Sequence, residues 1–353
     1  MAERAHDAAP ASGDPRRGVA SRSWPPGRGQ PARGTYAALD LGTNNCRLLI
    51  ARAQGDSFVV IDAFSRIVRL GEGLSANGRL SEAAMDRAAA ALAICAEKLR
   101  RRNVTLVRSV ATEACRRALN GREFVARIRA ETGLQLEIIS AEQEARLAVT
   151  GCQALLEPGQ GPALVFDIGG GSTELILLDD EKGGPPSIDD WFSAPWGVVS
   201  LSESVPHAGE DEAALRAAYT GMRDRVKEAF APFAETLTRR GARPGRLLGT
   251  SGTVTTLASL HLALPNYDRR AVDGLIVPAE AMRDLSQRLA GMSVPERASL
   301  PCIGNERADL LVAGCAILET ILDLWPAERL SVADRGIREG ILRKLMAHEL
   351  KRQ

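Results

Sequence analysis

The sequence predicts an α/β protein of two domains, and three observations predict it. One strand–turn–strand pattern occurs twice, at 36–50 and 163–178. Strand-like and helix-like segments alternate through the remainder, which is the α/β signature. The length of 353 residues suits two domains, each able to bury its own core. In the second copy an apolar run ends in Asp167, followed by Gly169, Gly170, Gly171, Ser172, Thr173, Glu174 and another apolar run. In the first copy Asp40 and Gly42 fall on Asp167 and Gly169 without a gap, Asn45 on Ser172 and Leu48 on Leu175. Glycine lets a backbone approach a ligand closely, and three in succession leave convergent N–H groups that suit an anion. The alternating apolar run after the turn makes each copy a hairpin, not a Walker A loop, which opens a helix and ends in Gly-Lys-Ser/Thr. Two such copies predict two facing phosphate-binding hairpins with a cleft between them. Asp167 and Glu174 flank the second turn, placed to bring a divalent cation to a bound phosphate.

Residues 1–34 are rich in Pro, Gly, Ala and Arg with almost no aliphatic side chains, which predicts a disordered tail. A first domain is set at 35–140. After its hairpin, 58–61 and 66–70 read as strand leading into Gly71-Glu72-Gly73. Arg66 and Arg69 there either face the cleft or sit solvated at a sheet edge. Ser81 is placed to cap a helix running to about Arg101. The run 106–112 reads as a buried strand, and a helix starts at Thr112-Glu113, at the strand end where open α/β sheets bind ligands. A helix through Phe124 to Thr132 and a strand at 136–139 complete the domain. Ser140 and Gln143 match a capping box, which places Glu142 and Glu144 in a first helical turn. Those acids either serve the helix terminus or put one general base into the cleft.

A second domain is set at 141–336. Beyond its main hairpin, 179–190 reads as a polar loop, 191–201 as strand and turn, and 211–240 as an amphipathic helix. Residues 246–257 repeat strand, glycine turn and helix. Gly249-Thr250-Ser251-Gly252-Thr253 is not a nucleophile elbow, because Thr253 stands where that motif needs glycine. Helices at 278–290 and 305–323, a strand at 329–332 and a closing helix at 337–353 follow, the last placed to pack back on the first domain.

Formal net charge is +1, so bulk charge implies no nucleic-acid or membrane partner. No apolar run approaches the ~20 residues of a membrane span, and the N-terminus lacks the apolar core of a signal peptide. Six cysteines and four histidines are scattered without a C-x-x-C pair, which argues against a disulfide framework or zinc site and predicts reduced thiols in a cytoplasm.

Together these segments resemble the exopolyphosphatase/guanosine-pentaphosphate phosphohydrolase family, within the actin–sugar kinase–heat-shock ATPase superfold. The matching stretches are Leu39 to Asn44, Ala111 to Arg116, Ile139 to Ala145, Asp167 to Glu174, Gly249 to Thr253 and Asp334 to Gly340, in the family's order. The resemblance implies two actin-like (ribonuclease H-like) domains with a phosphate-binding cleft between them. It makes Glu144 the catalytic carboxylate. It assigns phosphate binding to Gly42, Thr43, Asn44, Asn45, Arg116, Gly169, Gly170, Gly171, Ser172, Ser251, Gly252 and Thr253. Asp40, Asp167 and Glu174 become candidates for Mg²⁺ or another divalent ion, with a monovalent ion such as K⁺ also expected. The implied substrates are polyphosphate or guanosine penta/tetraphosphate, bound by a homodimer with no nucleic-acid or membrane partner. Gln143 departs from the pattern, since many members carry a second acid there. Larger members append a helical metal-phosphohydrolase domain with no counterpart here, so long-chain processivity is not expected.

The reaction implied is in-line attack of water on a terminal phosphoanhydride, with Glu144 as base. Two other readings stay open at this point. A kinase of the same superfold would use the Gly249 segment for a nucleotide, but no acceptor site is legible. A sensor would bind guanosine penta- or tetraphosphate without turning it over.

Overall fold

The structure, a computed structural model, describes residues 34–55, 57–159, 161–179, 187–205, 209 and 211–350. The expected 1–34 tail, apart from Gly34, and most of the expected 179–190 loop lie outside those residues. The first sheet contains β1 (Thr35–Leu41), β2 (Asn45–Gln54), β3 (Ser57–Ile67), β4 (Leu106–Ala111) and β5 (Leu136–Ile138), in the order β3-β2-β1-β4-β5. With it come helices α1 (Leu74–Asn77), α2 (Glu82–Arg101), α3 (Glu113–Arg117), α4 (Gly121–Thr132) and α5 (Ala141–Cys152). The second sheet contains β6 (Ala163–Ile168), β7 (Thr173–Asp179), β8 (Ser187–Ala194), β9 (Arg246–Thr250), β10 (Ile276–Pro278) and β11 (Arg329–Ala333), in the order β10-β11-β9-β6-β7-β8. Its helices are α6 (Val198–Ser204), α7 (Glu212–Arg239), α8 (Gly252–His261), α9 (Arg269–Val272), α10 (Ala279–Ala290), α11 (Val294–Ser299), α12 (Leu311–Leu324) and α13 (Ile337–Leu350).

The sheets repeat one plan. In the first, β1 pairs antiparallel with β2, β2 with β3, and β1 runs parallel to β4 and β4 to β5. In the second, β6, β7, β8, β9 and β11 repeat those relations, and β10 adds an antiparallel edge. The hairpin register sets Asp40 opposite Arg47 and Asp167 opposite Glu174. Central strands β1 and β6 are apolar on both faces because helices cover both sides of each sheet.

Coverage is reciprocal. One face of the first sheet packs on α2 and α4, and the opposite face on α13 through Ile341, Leu342 and Met346. One face of the second sheet packs on α7, α8, α10 and α12, and the opposite face on α5 through Ala145, Val149 and Cys152. So α5 follows the first sheet in sequence yet covers the second, and α13 does the reverse. The two helices cross backbone to backbone: a Cβ on Gly340 would lie 2.0 Å from the Leu147 carbonyl oxygen, and one on Gly151 2.0 Å from that of Gly336. No described helix is long and apolar enough to cross a membrane.

Four local expectations differ from the structure. Leu106 and Val107 are exposed, because β5 pairs with β4 only from Ser109 onward and leaves the start of that strand uncovered. Strand β8 begins at Ser187, inside the expected loop; Asp189 and Asp190 are edge-strand acids held by Arg240 at 2.6 and 3.0 Å. Val198 and Val199, read as strand and turn, start α6 instead, because their N–H groups donate to the Gly169 and Gly170 carbonyls at 3.0 and 2.8 Å. Finally, α12 starts at Leu311, six residues beyond the expected 305; the intervening stretch is turn. The six cysteines are free, and Cys46 and Cys95 meet at 4.0 Å between sulfurs without a bond.

Replacing Gly340 by alanine places a methyl group inside the α5–α13 contact and is expected to cost about 1–3 kcal/mol. Thermal melting checks it: an unchanged midpoint would contradict the close crossing.

Candidate active site

The two hairpin turns close in the same way. The Gly42 N–H donates to the Asn45 carbonyl at 2.9 Å, and the Gly169 N–H to the Ser172 carbonyl at 3.0 Å. They also touch. A Cβ on Gly170 would stand 2.8 Å from Thr43 Cβ and 3.0 Å from the Asn44 nitrogen, and one on Gly171 2.0 Å from Glu113 Oε2. At Gly170 a side chain would meet the facing Asn44 backbone and at Gly171 it would displace the Glu113 carboxylate, so the glycines let the lobes approach closely. Thr43, Asn44, Gly170 and Gly171 thereby form opposite walls of one pocket with about 980 Å³ of empty space open to solvent.

A third wall is the start of α8. Ser251 accepts from the Val254 N–H at 3.1 Å and caps the helix, and Ser251, Gly252 and Thr253 line the pocket with the helix N-terminus, which favours anions. Every expected phosphate-binding residue except one lines this pocket. The exception is Arg116, whose Nη1 donates to Glu144 Oε2 and to the Ile139 carbonyl, both at 2.9 Å. It stands behind the acid and not on the pocket wall.

Four expected acids converge. Asp40 and Asp167 end their strands at the pocket, Glu174 stands across from Asp167, and Glu144 enters from the first turn of α5. The capping box is present as read: Ser140 Oγ accepts from the Gln143 N–H, and Gln143 Oε1 accepts from the Ser140 N–H, both at 3.1 Å. Glu174 is buried and accepts from Ser172 Oγ at 2.7 Å and Ser193 Oγ at 2.9 Å. Burial is the main reason all four carboxyls are raised above their usual range. Asp167 reaches about 8, with Glu174 and Asp40 adding to burial and Arg47 opposing it. Asp40 is raised by burial against Arg47 and Arg338. Glu144 is raised by burial and then Glu174, against Arg116. Glu174 is raised by burial against its two serine hydrogen bonds.

The donors fit a hard divalent cation. Asp40 Oδ1, Asn44 Oδ1 and Asn45 Oδ1 are buried oxygens without a hydrogen-bond partner. Among the described residues no three His, Cys, Asp or Glu side chains form an all-protein cage. Carboxylate and amide oxygens are the ligand type that hard divalent cations take.

Three charged pocket residues were not assigned from sequence. Arg47 lies opposite Asp40 in the hairpin register, a position the strand alternation made readable. Glu113 accepts from Thr43 Oγ1 at 3.1 Å and pairs with Arg117 at 3.5 Å. Arg307 sits in an irregular segment before α12, where no local pattern marks it. Of the two arginines weighed for the cleft, Arg66 stays exposed over the Phe64 ring, and Arg69 reaches across to Asp309 at 2.9 Å.

Repeated sheets, exchanged helices and an acid-lined pocket between the lobes define a two-domain actin-like α/β protein. The chain belongs to the Ppx/GppA phosphatase family, whose profile matches residues 49–349. It is 34% identical over 319 residues to exopolyphosphatase 2 of Mycobacterium tuberculosis, covering 86% of this chain and 96% of that protein. Among solved structures it is similar to the PPX-GPPA enzyme of Aquifex aeolicus, with 28% identity and a TM-score of 0.70 over 88% of this chain and 99% of that one. It is also similar to an exopolyphosphatase from Cytophaga hutchinsonii, with 25% identity and a TM-score of 0.78 over 89% and 98% of the two chains.

A carboxyl raised in the folded state makes the protein less stable as pH rises from its unfolded value near 4 to its folded value; for Asp167 that window ends near 8. Below the window both states are protonated and there is no penalty; above it the full penalty persists. Asp167→Asn cannot ionise, so in EDTA its melting temperature should fall less than the parent's between pH 6 and 9. Parallel melting curves across that range would refute the shift.

Proposed function

We propose that this protein hydrolyses the terminal phosphoanhydride of inorganic polyphosphate, guanosine pentaphosphate, or both, releasing orthophosphate. The observation that carries the reading is the facing pair of identically closed glycine turns with Glu144 in the wall beside them. The names of the M. tuberculosis and C. hutchinsonii relatives support polyphosphate as the substrate class.

Phosphoryl transfer asks a protein mainly for positioning and charge neutralisation. Turn N–H groups from both hairpins and the α8 N-terminus would hold phosphoryl oxygens, with Arg47 and Arg307 adding positive charge. Glu144 would orient the attacking water and take its proton. Burial raises its basicity, while Arg116 fixes the carboxylate and limits that rise. Asp40, Asp167 and Glu174 are the residues that would hold a Mg²⁺ ion, which would supply positive charge at the transferring phosphate.

A second chamber opens beyond Asp40 and Asp167, with about 1160 Å³ of empty space lined by Tyr267, Arg335 and Arg338 among others. It gives room for the remainder of a longer chain or a nucleoside. Phosphate release from tripolyphosphate, long polyphosphate and guanosine pentaphosphate, each with and without Mg²⁺, tests the reading and ranks the substrates. Release from at least one, dependent on the divalent ion, is expected; tight binding without release would make the protein a sensor.

Glu144→Gln is expected to lower turnover by about 10²–10⁴. Calorimetric binding of tripolyphosphate should survive the change. Near-normal turnover would remove Glu144 from the role of base.

A further inference from the structure

Each glycine turn is backed by a segment that reaches the other lobe. Behind the first turn, the N–H groups of Val68 and Arg69 donate to the Asn44 carbonyl at 2.8 and 3.0 Å, and that of Gly71 to the Thr43 carbonyl at 2.9 Å. Behind the second turn stands α6, whose first N–H groups hold the Gly169 and Gly170 carbonyls. Across the mouth, the Gly73 N–H donates to Glu203 Oε1 of α6 at 3.0 Å.

The Arg69 side chain extends the same tie. It pairs with Asp309 Oδ2 at 2.9 Å and makes a longer contact of 3.5 Å to the Glu306 carbonyl. Asp309 Oδ1 is buried without a hydrogen-bond partner, so Arg69 supplies the charge that offsets this acid. Arg69 does so from a left-handed backbone, φ 47°, which non-glycine residues seldom adopt. Between Glu306 and Asp309 lies Arg307, a pocket residue. The same segment is held from its own lobe by buried Arg297, which donates to the Ala308 carbonyl at 2.8 Å and to those of Met292 and Leu289 at 2.6 and 3.4 Å. Arg307 is therefore fixed on one side by the second lobe and on the other by a residue bonded to the first phosphate turn.

We propose that Arg69 is a positioning residue: by clasping Asp309 and Glu306 it holds Arg307 in register with the first glycine turn, so that both engage one substrate chain. This rests on the phosphate-site reading above. The pair is about one-third exposed, so the effect should be modest. Loss of the clasp should weaken substrate capture and leave the chemical step intact.

Arg69→Gly is the cleanest probe, because glycine accepts the left-handed backbone without strain and the fold is kept. Its melting temperature should stay close to the parent's, while KM for tripolyphosphate rises about three- to fivefold and kcat changes less than twofold. Asp309→Ala should match it, the double variant should be no worse than either single one, and Arg69→Lys should recover most of the loss. Unchanged KM in the single variants, or additive effects in the double one, would overturn the assignment. If the parent protein releases phosphate from no substrate, the functional reading fails, and the clasp is then judged on ligand-free protein by small-angle scattering. A larger radius of gyration for Arg69→Gly supports it, and superimposable profiles reject it.

Discussion

Like charges brought together away from water repel strongly unless protons or cations come between them. Asp40, Asp167, Glu174 and Glu144 are placed in that situation by four separate elements: two strand ends, one hairpin partner strand and a helix start. The surrounding structure reads as the answer to their repulsion. Serine hydroxyls from Ser172 and Ser193 satisfy one oxygen of Glu174, Arg116 satisfies Glu144, and the raised carboxyls of Asp40 and Asp167 are left for protons or a metal. A site that is costly when empty of cation and phosphate is one whose ligands bring stability with them. Under the proposed function, a positive ion between protein and phosphate would reconcile the acids with the anion-seeking N–H groups.

That arrangement requires two lobes built alike. A hairpin ending in Asp-x-Gly delivers one acid and one set of N–H groups; two hairpins face to face deliver a pocket with both on each side. The helix exchange supplies the alignment. Because α13 returns from beyond the second sheet to cover the first, while α5, lying between the two sheets in sequence, covers the second, the first lobe does not complete its core without a segment from beyond its own stretch of chain.

What the sequence disclosed follows from range. Hairpins, the Ser81 and Ser140 caps, the long helices and the strand order within each hairpin depend on neighbours a few residues away, and they stand where the residues put them. The acids and glycine turns were readable because the same short pattern occurs twice. Tertiary contacts hid the rest. Val198 and Val199 carry strand preference, but the Gly169 and Gly170 carbonyls draw them into α6. Leu106 looks like a core residue and is exposed because its neighbouring strand begins later. Arg116, expected at the phosphates, pairs instead with Glu144, 28 positions away, a pairing no spacing rule encodes. Arg307 owes its place to anchors from two lobes and has no local mark at all.

The glycine crossing of α5 and α13 has a mechanical consequence. Where two helices meet on bare backbone their separation is set by hydrogen alone, so a side chain at Gly340 or Gly151 would have to push them apart. Each of these helices also covers a sheet, so any change in their separation would carry the sheets with it. The spacing between the lobes is therefore fixed at one place by backbone alone, and the closeness of the two hairpin turns goes with it.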